Sequence, residues 1–350
     1  MKYKYCYLII LLAFTNCKNN AVRPLDPLEG HYVIAFEHFS DIFIFNTFDQ
    51  SLYNLTEGLV DTFYNASISE FSDTGEELLF TLDYLGHGTE DLVPSGRHDI
   101  FLHNFITGDT RRITNNEYRE INPVFSDDDE IIVYQSFENG TWDIFSIRID
   151  GSNKKSIVGS AGHKVNPTFS DDGQKIFYLF WDDSNADIYV INIDGSDEIN
   201  LTNSPLHEGF PAISKNGDFI VYSAIESTIN LGDFDKCLFR LDLFSLNKIQ
   251  IVPGSDGVRG FDHPKLSIDS KYIAARYFDG SWLYIYLMDI DGKNQIEIAK
   301  GLDMEFTPDG EYLIYLGHDG LHKFNMSDKT SALILAQQIW NFNIEVGSLK

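Results

Sequence analysis

Positive charge is scarce in this chain. Of 350 residues, 26 are lysine or arginine against 53 aspartates and glutamates, a formal net charge of −27. Such a surface suits nucleic acid poorly, because phosphate contacts need clustered basic side chains; the acidity serves solubility instead. Cysteine is scarcer still, with three in all. Cys6 and Cys17 lie near the amino terminus and Cys237 lies in the apolar stretch CLFRLDL. The body of the chain therefore has no pair to cross-link and must be held by its core. Cys237 is expected to be a small buried hydrophobe rather than a reactive thiol. The apolar run YLIILLAF, Tyr7 to Phe14, is too short to span a bilayer. No G-x-S-x-G elbow, H-E-x-x-H pair or glycine-rich phosphate loop occurs. The motifs thus imply no catalytic residue, no metal ligand and no cofactor.

Apolar and aromatic residues are abundant, at 43% and 14%, ample for a large core. They recur in a pattern. Residues 165–179 are VNPTFSDDGQKIFYL, 121–134 are INPVFSDDDEIIVY, 209–222 are GFPAISKNGDFIVY and 303–315 are DMEFTPDGEYLIY. The motif Ser or Thr falls at Ser72, Ser126, Ser170, Ser214, Ser267 and Thr307, at intervals of 54, 44, 44, 53 and 40 residues. A period of about 40–45 residues is that of one four-stranded propeller blade, and the longer intervals are the same unit with loop insertions. Each unit has a short strand ending at the Ser or Thr and a turn rich in Asp, Asn and Gly. A continuously apolar strand such as IIVYQ or FIVYS follows, which predicts burial on both faces. A third strand opens with D-I-F or D-I-Y, and a tight turn such as IDGSN leads to a fourth. Residues 31–56 supply only three strands of such a unit, and the apolar segment 339–346, IWNFNIEV, is left over. The expectation is an all-β propeller of seven four-stranded blades, with the C-terminal segment closing the first, so that no edge is left exposed.

These motifs resemble the TolB-type, WD40-like β-propeller repeat, an N-P-x-[WF]-S-P-D-G run followed by D-[IL]-[FY] and a D-G turn. The resemblance covers nearly all of residues 30–340. It is strongest at 118–203 and 303–316 and weakest where SIDSKY lacks the turn glycine. It implies a propeller, and a function in binding protein partners. About a dozen residues separate Cys17 from the first strand, so TolB's N-terminal α/β domain is not expected. The start, two lysines, an apolar run and then Cys17, resembles a bacterial lipoprotein signal, although Asn16 stands where that pattern favours a small residue. The expected organisation is a signal peptide at 1–16, lipidated Cys17 with a linker to 29, and one propeller over 30–350. The protein would be lipid-anchored in the bacterial cell envelope, on the outer membrane or facing the periplasm.

The loops between second and third strands are long and irregular, as in SFENGTW at 136–142 and FWDDSNAD at 180–187. Binding commonly resides on such loops. Trp142, Trp181 and Trp282 fall in or beside them, and eight histidines map to the same face, which also collects the entries to the first strands: His38, His87, His98, His163, His207, His263, His318 and His322. The candidate binding residues are Trp142, His163, Trp181, Asp182, Asp183, His207 and Trp282. The competing reading of each is structural, since strand-end aromatics wedge neighbouring blades and exposed loops collect histidines. The aspartates opening the third strands, Asp41, Asp99, Asp143 and Asp187, recur unit by unit and are expected to be structural hydrogen-bonders. The acidic D-G turns fall short of a calcium loop, which needs more ligands at fixed spacing.

The leading functional expectation is a non-catalytic envelope lipoprotein that binds a protein or peptide through its long-loop face. The alternatives are a metal-dependent polysaccharide lyase resembling oligogalacturonate lyase, and a glycan-binding lipoprotein.

Overall fold

The structure, a computed structural model, describes residues 32–59, 65–85, 96–158, 162–182, 185–225, 236–254, 260–336 and 344–347. Among them every regular element is a β-strand, and no helix is long and apolar enough to cross a membrane. The unit opened by His163–Phe169 continues through Lys175–Trp181, Ala186–Asn192 and Ile199–Asn200. Each strand is antiparallel to the one before it. The next unit repeats this order with His207–Ile213, Phe219–Ile225, Lys236–Asp242 and Lys248–Val252. Three units are separate four-stranded sheets, and the others run together. They join because a first strand touches the third strand of the preceding unit, Ala186 beside His207 and Lys236 beside Gly260. In addition, Ile296–Phe306 serves as the last strand of one unit and the first of the next.

The repeated Ser or Thr has a hydrogen-bonding cause. In all six motifs its hydroxyl oxygen accepts the backbone N–H five residues on, at 3.0 Å, closing the turn between first and second strands. The fourth turn residue must adopt a left-handed conformation, which glycine does without steric cost. Where glycine is absent, Asp129 and Ser270 take the same conformation, at φ 55° each. The weak SIDSKY motif therefore folds as its relatives do.

The second strands are buried along most of their length, as their apolar runs predict. Apolar clusters lie between successive sheets. Phe177, Leu179 and Ile188 of one unit, for example, pack with Ile220, Tyr222 and Phe239 of the next. One cluster joins the last unit to the first, with Ile314, Leu316 and Leu321 against Ile34, Phe36 and Phe45. The expected closure is present: Ile344–Gly347 pairs antiparallel with Val33–His38, setting Ile344 opposite Phe36 and Val346 opposite Ile34. Asp303 Oδ2 accepts the Ile344 N–H at 3.1 Å and fixes the strand. Residues 339–343 of the predicted segment lie outside the described residues.

A second device shapes the first strands. Asn122, Asn166, Phe210 and His263 each precede a proline, and each has a positive φ of 52°, 54°, 53° and 49°. Each sits at a register shift in its strand. These bulges place the four residues on a channel lined by first strands, beside a cavity of about 240 Å³ at Asn122 and Asn166 and one of about 420 Å³ at Phe210 and His263.

Candidate functional site: an aromatic row on the long-loop rim

Three predicted residues are brought together at the junction of two units. His163 and Trp181 are opposite partners on paired strands, with ring centroids 5.4 Å apart. The Trp142 backbone N–H donates to His163 Nδ1 at 3.2 Å. Phe137 bridges the pair, 5.3 Å from the Trp142 ring and 6.5 Å from the His163 ring, the latter nearly coplanar in orientation at 7°. The Arg119 guanidinium lies 5.6 Å from the centre of the Trp142 ring, within cation–π range. The result is a row, Trp142, Phe137, His163, Trp181, whose outer end is open: Trp181 is 49% exposed. Asp182 follows it and is exposed. The row can stack a flat or apolar group, with a carboxylate at its open end. Phe137 and Arg119 were missed in the sequence; Phe137 is the aromatic that opens the loop SFENGTW directly after a buried strand.

The row rests on a buried ion pair. Lys164, fully buried, donates to Asp143 Oδ1 at 3.0 Å and to the Gly162 carbonyl at 3.1 Å, while its backbone N–H donates to the Trp142 carbonyl at 2.7 Å. The other recurring aspartates are structural too. Asp41 accepts from Thr56 Oγ1 at 2.7 Å and Asp187 from Thr202 Oγ1 at 3.1 Å. Each threonine oxygen in turn accepts the N–H of the residue after its aspartate. Asp99 is held by Arg97 at 3.0 Å and by Arg112.

The remaining candidates are spread out. His207 begins the first strand of the following unit, beside Ala186. Trp282 is 50% exposed in a separate group, with His318 edge-on at 5.7 Å and Lys300 Nζ 4.6 Å from its ring centre. Asp183 lies outside the described residues, as does His87. His263 departs from its expected place on the rim. It stands within the first strand Gly260–Leu266 and lines the channel, because the pre-proline bulge turns it inward. Burial, the largest cause, pushes its ring below the ordinary histidine range. Among the described residues no group of three or more His, Cys, Asp or Glu is placed to hold a metal ion.

The fold defines the class, a β-propeller. Residues 64–234 match the family described as the TolB beta propeller domain. No curated protein matches the sequence. Among solved structures, TolB from Acinetobacter baumannii superposes with a TM-score of 0.54 at 15% identity, over 86% of this chain and 78% of that one. An oligogalacturonate lyase in complex with manganese gives 0.60 at 11% identity, over 87% and 84%. The oligogalacturonate lyase of Vibrio parahaemolyticus gives 0.59 at 11%, over 85% and 92%. At such identities the likeness establishes the fold alone.

Proposed function

We propose that this chain is a seven-bladed propeller over residues 30–350, tethered in the cell envelope by a lipid on Cys17 after removal of residues 1–16, and that it binds a protein or peptide partner through its long-loop rim. The observation that carries the binding role is the row of Trp142, Phe137, His163 and Trp181, held from beneath by Lys164 and Asp143 and open at Trp181. Aromatic anchors in such settings commonly dominate binding energy. The blade count rests on three separate sheets and four further antiparallel runs in the continuous one. The lyase alternative would need converging metal ligands. The described histidines are instead spread over the units, with only His98 and His103, and His318 and His322, sharing one, and among the described residues no group of three or more His, Cys, Asp or Glu is placed to hold a metal ion.

The test is photo-crosslinking in cells from position 182, with Asp182→p-benzoylphenylalanine. A discrete adduct that disappears on Trp181→Ala supports the reading. Absence of any adduct, together with stoichiometric transition metal in the purified protein, would favour the lyase instead. The anchor is tested separately: Cys17→Ala should move the protein from the detergent phase to the aqueous phase, since the acyl chains that would hold it at the membrane are then absent. Unchanged partitioning would reject lipidation at Cys17.

A further inference from the structure

The two sides of the channel carry the same backbone device and different side chains. On one side, Asn122 Nδ2 donates to Asn166 Oδ1 at 2.8 Å and to Gln135 Oε1 at 3.1 Å, and the same Gln135 oxygen accepts the Asn166 N–H at 2.8 Å. The asparagines tolerate the left-handed conformation and satisfy each other. On the other side the same positions are Phe210 and His263. A phenylalanine at positive φ is an outlier, and strain of that kind points toward function when the surroundings hold it in place. A bulge and a following proline hold it here.

The two rings pack against each other, yet Phe210 remains 40% exposed. They face a cavity of about 420 Å³ that is also bounded by Thr168, Ser214 and the prolines 211 and 264. That volume falls in the range of small-molecule sites, near its lower end. The charges of the lining decide what would enter. Lys215 Nζ is paired with Asp171 Oδ1 at 2.7 Å. Lys265 is paired with Glu305, and Glu345 and Asp303 also act on it. Arg276 donates to the His263 ring and to Asp262. The lysines of the wall thus have carboxylate partners, and an anion would meet further carboxylates behind Lys265. A cation would meet Lys215 and Lys265 themselves.

We propose that this cavity is a binding site for an uncharged aromatic ring, stacked on Phe210 and His263 with its polar edge toward the hydroxyl of Thr168. The site is distinct from the rim and does not depend on the rim's partner.

The experiment uses the full chain with indole as probe, and benzoate and benzylammonium as charged comparators of similar size, followed by protein-observed NMR titration. Indole should saturate with Kd on the order of 1 mM, the range open to so small a ligand, and both charged probes should bind at least tenfold more weakly. Phe210→Asn, which restores the residue type found across the channel, should keep the melting temperature and weaken indole at least tenfold. Trp181→Ala should leave indole at this site unchanged, which separates the channel from the rim. Tighter binding of either charged probe, equal indole binding by Phe210→Asn, or no saturable shift of channel residues would overturn the proposal.

Discussion

The neighbouring strands His163–Phe169 and His207–Ile213 read H-K-V-N-P-T-F and H-E-G-F-P-A-I. Both begin with histidine at the rim, break register at the same point, place a left-handed residue before proline, and end at a serine whose hydroxyl closes the turn. Within that common frame two positions are exchanged. Lys164 is buried with a carboxylate partner, Asp143. Glu208, equally buried, is held by Ser204 through one oxygen and leaves its other oxygen without a hydrogen-bond partner. Asn166 joins an amide network, whereas Phe210 presents a ring to an open cavity. The frame is what the repeat encodes. Its exceptions mark where one unit differs chemically from the next.

The largest effect should come from the ion pair. Asp143→Ala leaves a buried ammonium without its carboxylate and should cost about 3–5 kcal/mol of stability. Adding Lys164→Met to that variant should recover most of the loss, because an apolar replacement of both partners is close to neutral. Chemical denaturation of the two variants checks this. A single variant that unfolds like the parent would show that the rim does not depend on the pair.

Exchanging the pre-proline residues should be asymmetric. Asn166→Phe breaks the hydrogen bond from Asn122 and forces a bulky residue to positive φ, at about 1–3 kcal/mol. Phe210→Asn places a tolerant residue in the same conformation and should be neutral or stabilising by up to about 1 kcal/mol. Equal destabilisation by both would mean that Phe210 is packed for stability, and the contrast between the strands would lose its functional sense.

Glu208 gives the two strands different pH responses. Burial, the largest cause, pushes its carboxyl up to about 7, against about 4.3 in an unfolded chain. Between those values the folded state holds a proton that the unfolded state has lost, so this group makes stability fall as pH rises from about 4.3 to about 7 and adds no further change above that. Glu208→Gln should flatten that part of the profile and make the variant more stable than the parent at pH 8, with little difference near pH 4. Thermal melting across this range decides it; a parallel shift at all pH values would assign the carboxyl no titration in the window.

Much of the frame was legible in the sequence. The period, the apolar second strands, the Ser- or Thr-closed turns and the pairing of the C-terminal segment with the first unit all follow from local pattern, and the four aspartates were rightly read as structural. The site was legible only in part. Trp142, His163 and Trp181 meet because their loops flank one junction, but Trp282, with the same apparent credentials, lies in a separate group, and His207 is joined to the row only through Ala186, the strand partner of Trp181. Residue type and loop class do not encode which units are neighbours across a rim. His263 is expected on the rim because it precedes its motif serine near the entry to a first strand, and nothing short of the backbone shows that a bulge before Pro264 turns it into the channel. The cavity was invisible for the same reason: Phe210 occupies a motif position, and the motif hides the consequence of replacing Asn.

The central claim, that the long-loop rim and not the short-turn face engages the partner, is met most directly by one comparison. The crosslinked adduct from position 182 is quantified in Trp181→Ala and in Asp172→Asn, with melting temperatures measured alongside. Asp172 caps a short turn through Ser170 and the Gln174 N–H, and Trp181 is half exposed, so both variants should melt close to the parent. Loss of the adduct in Trp181→Ala alone is the predicted result. Loss in Asp172→Asn with retention in Trp181→Ala would place the interaction on the opposite face and contradict the account.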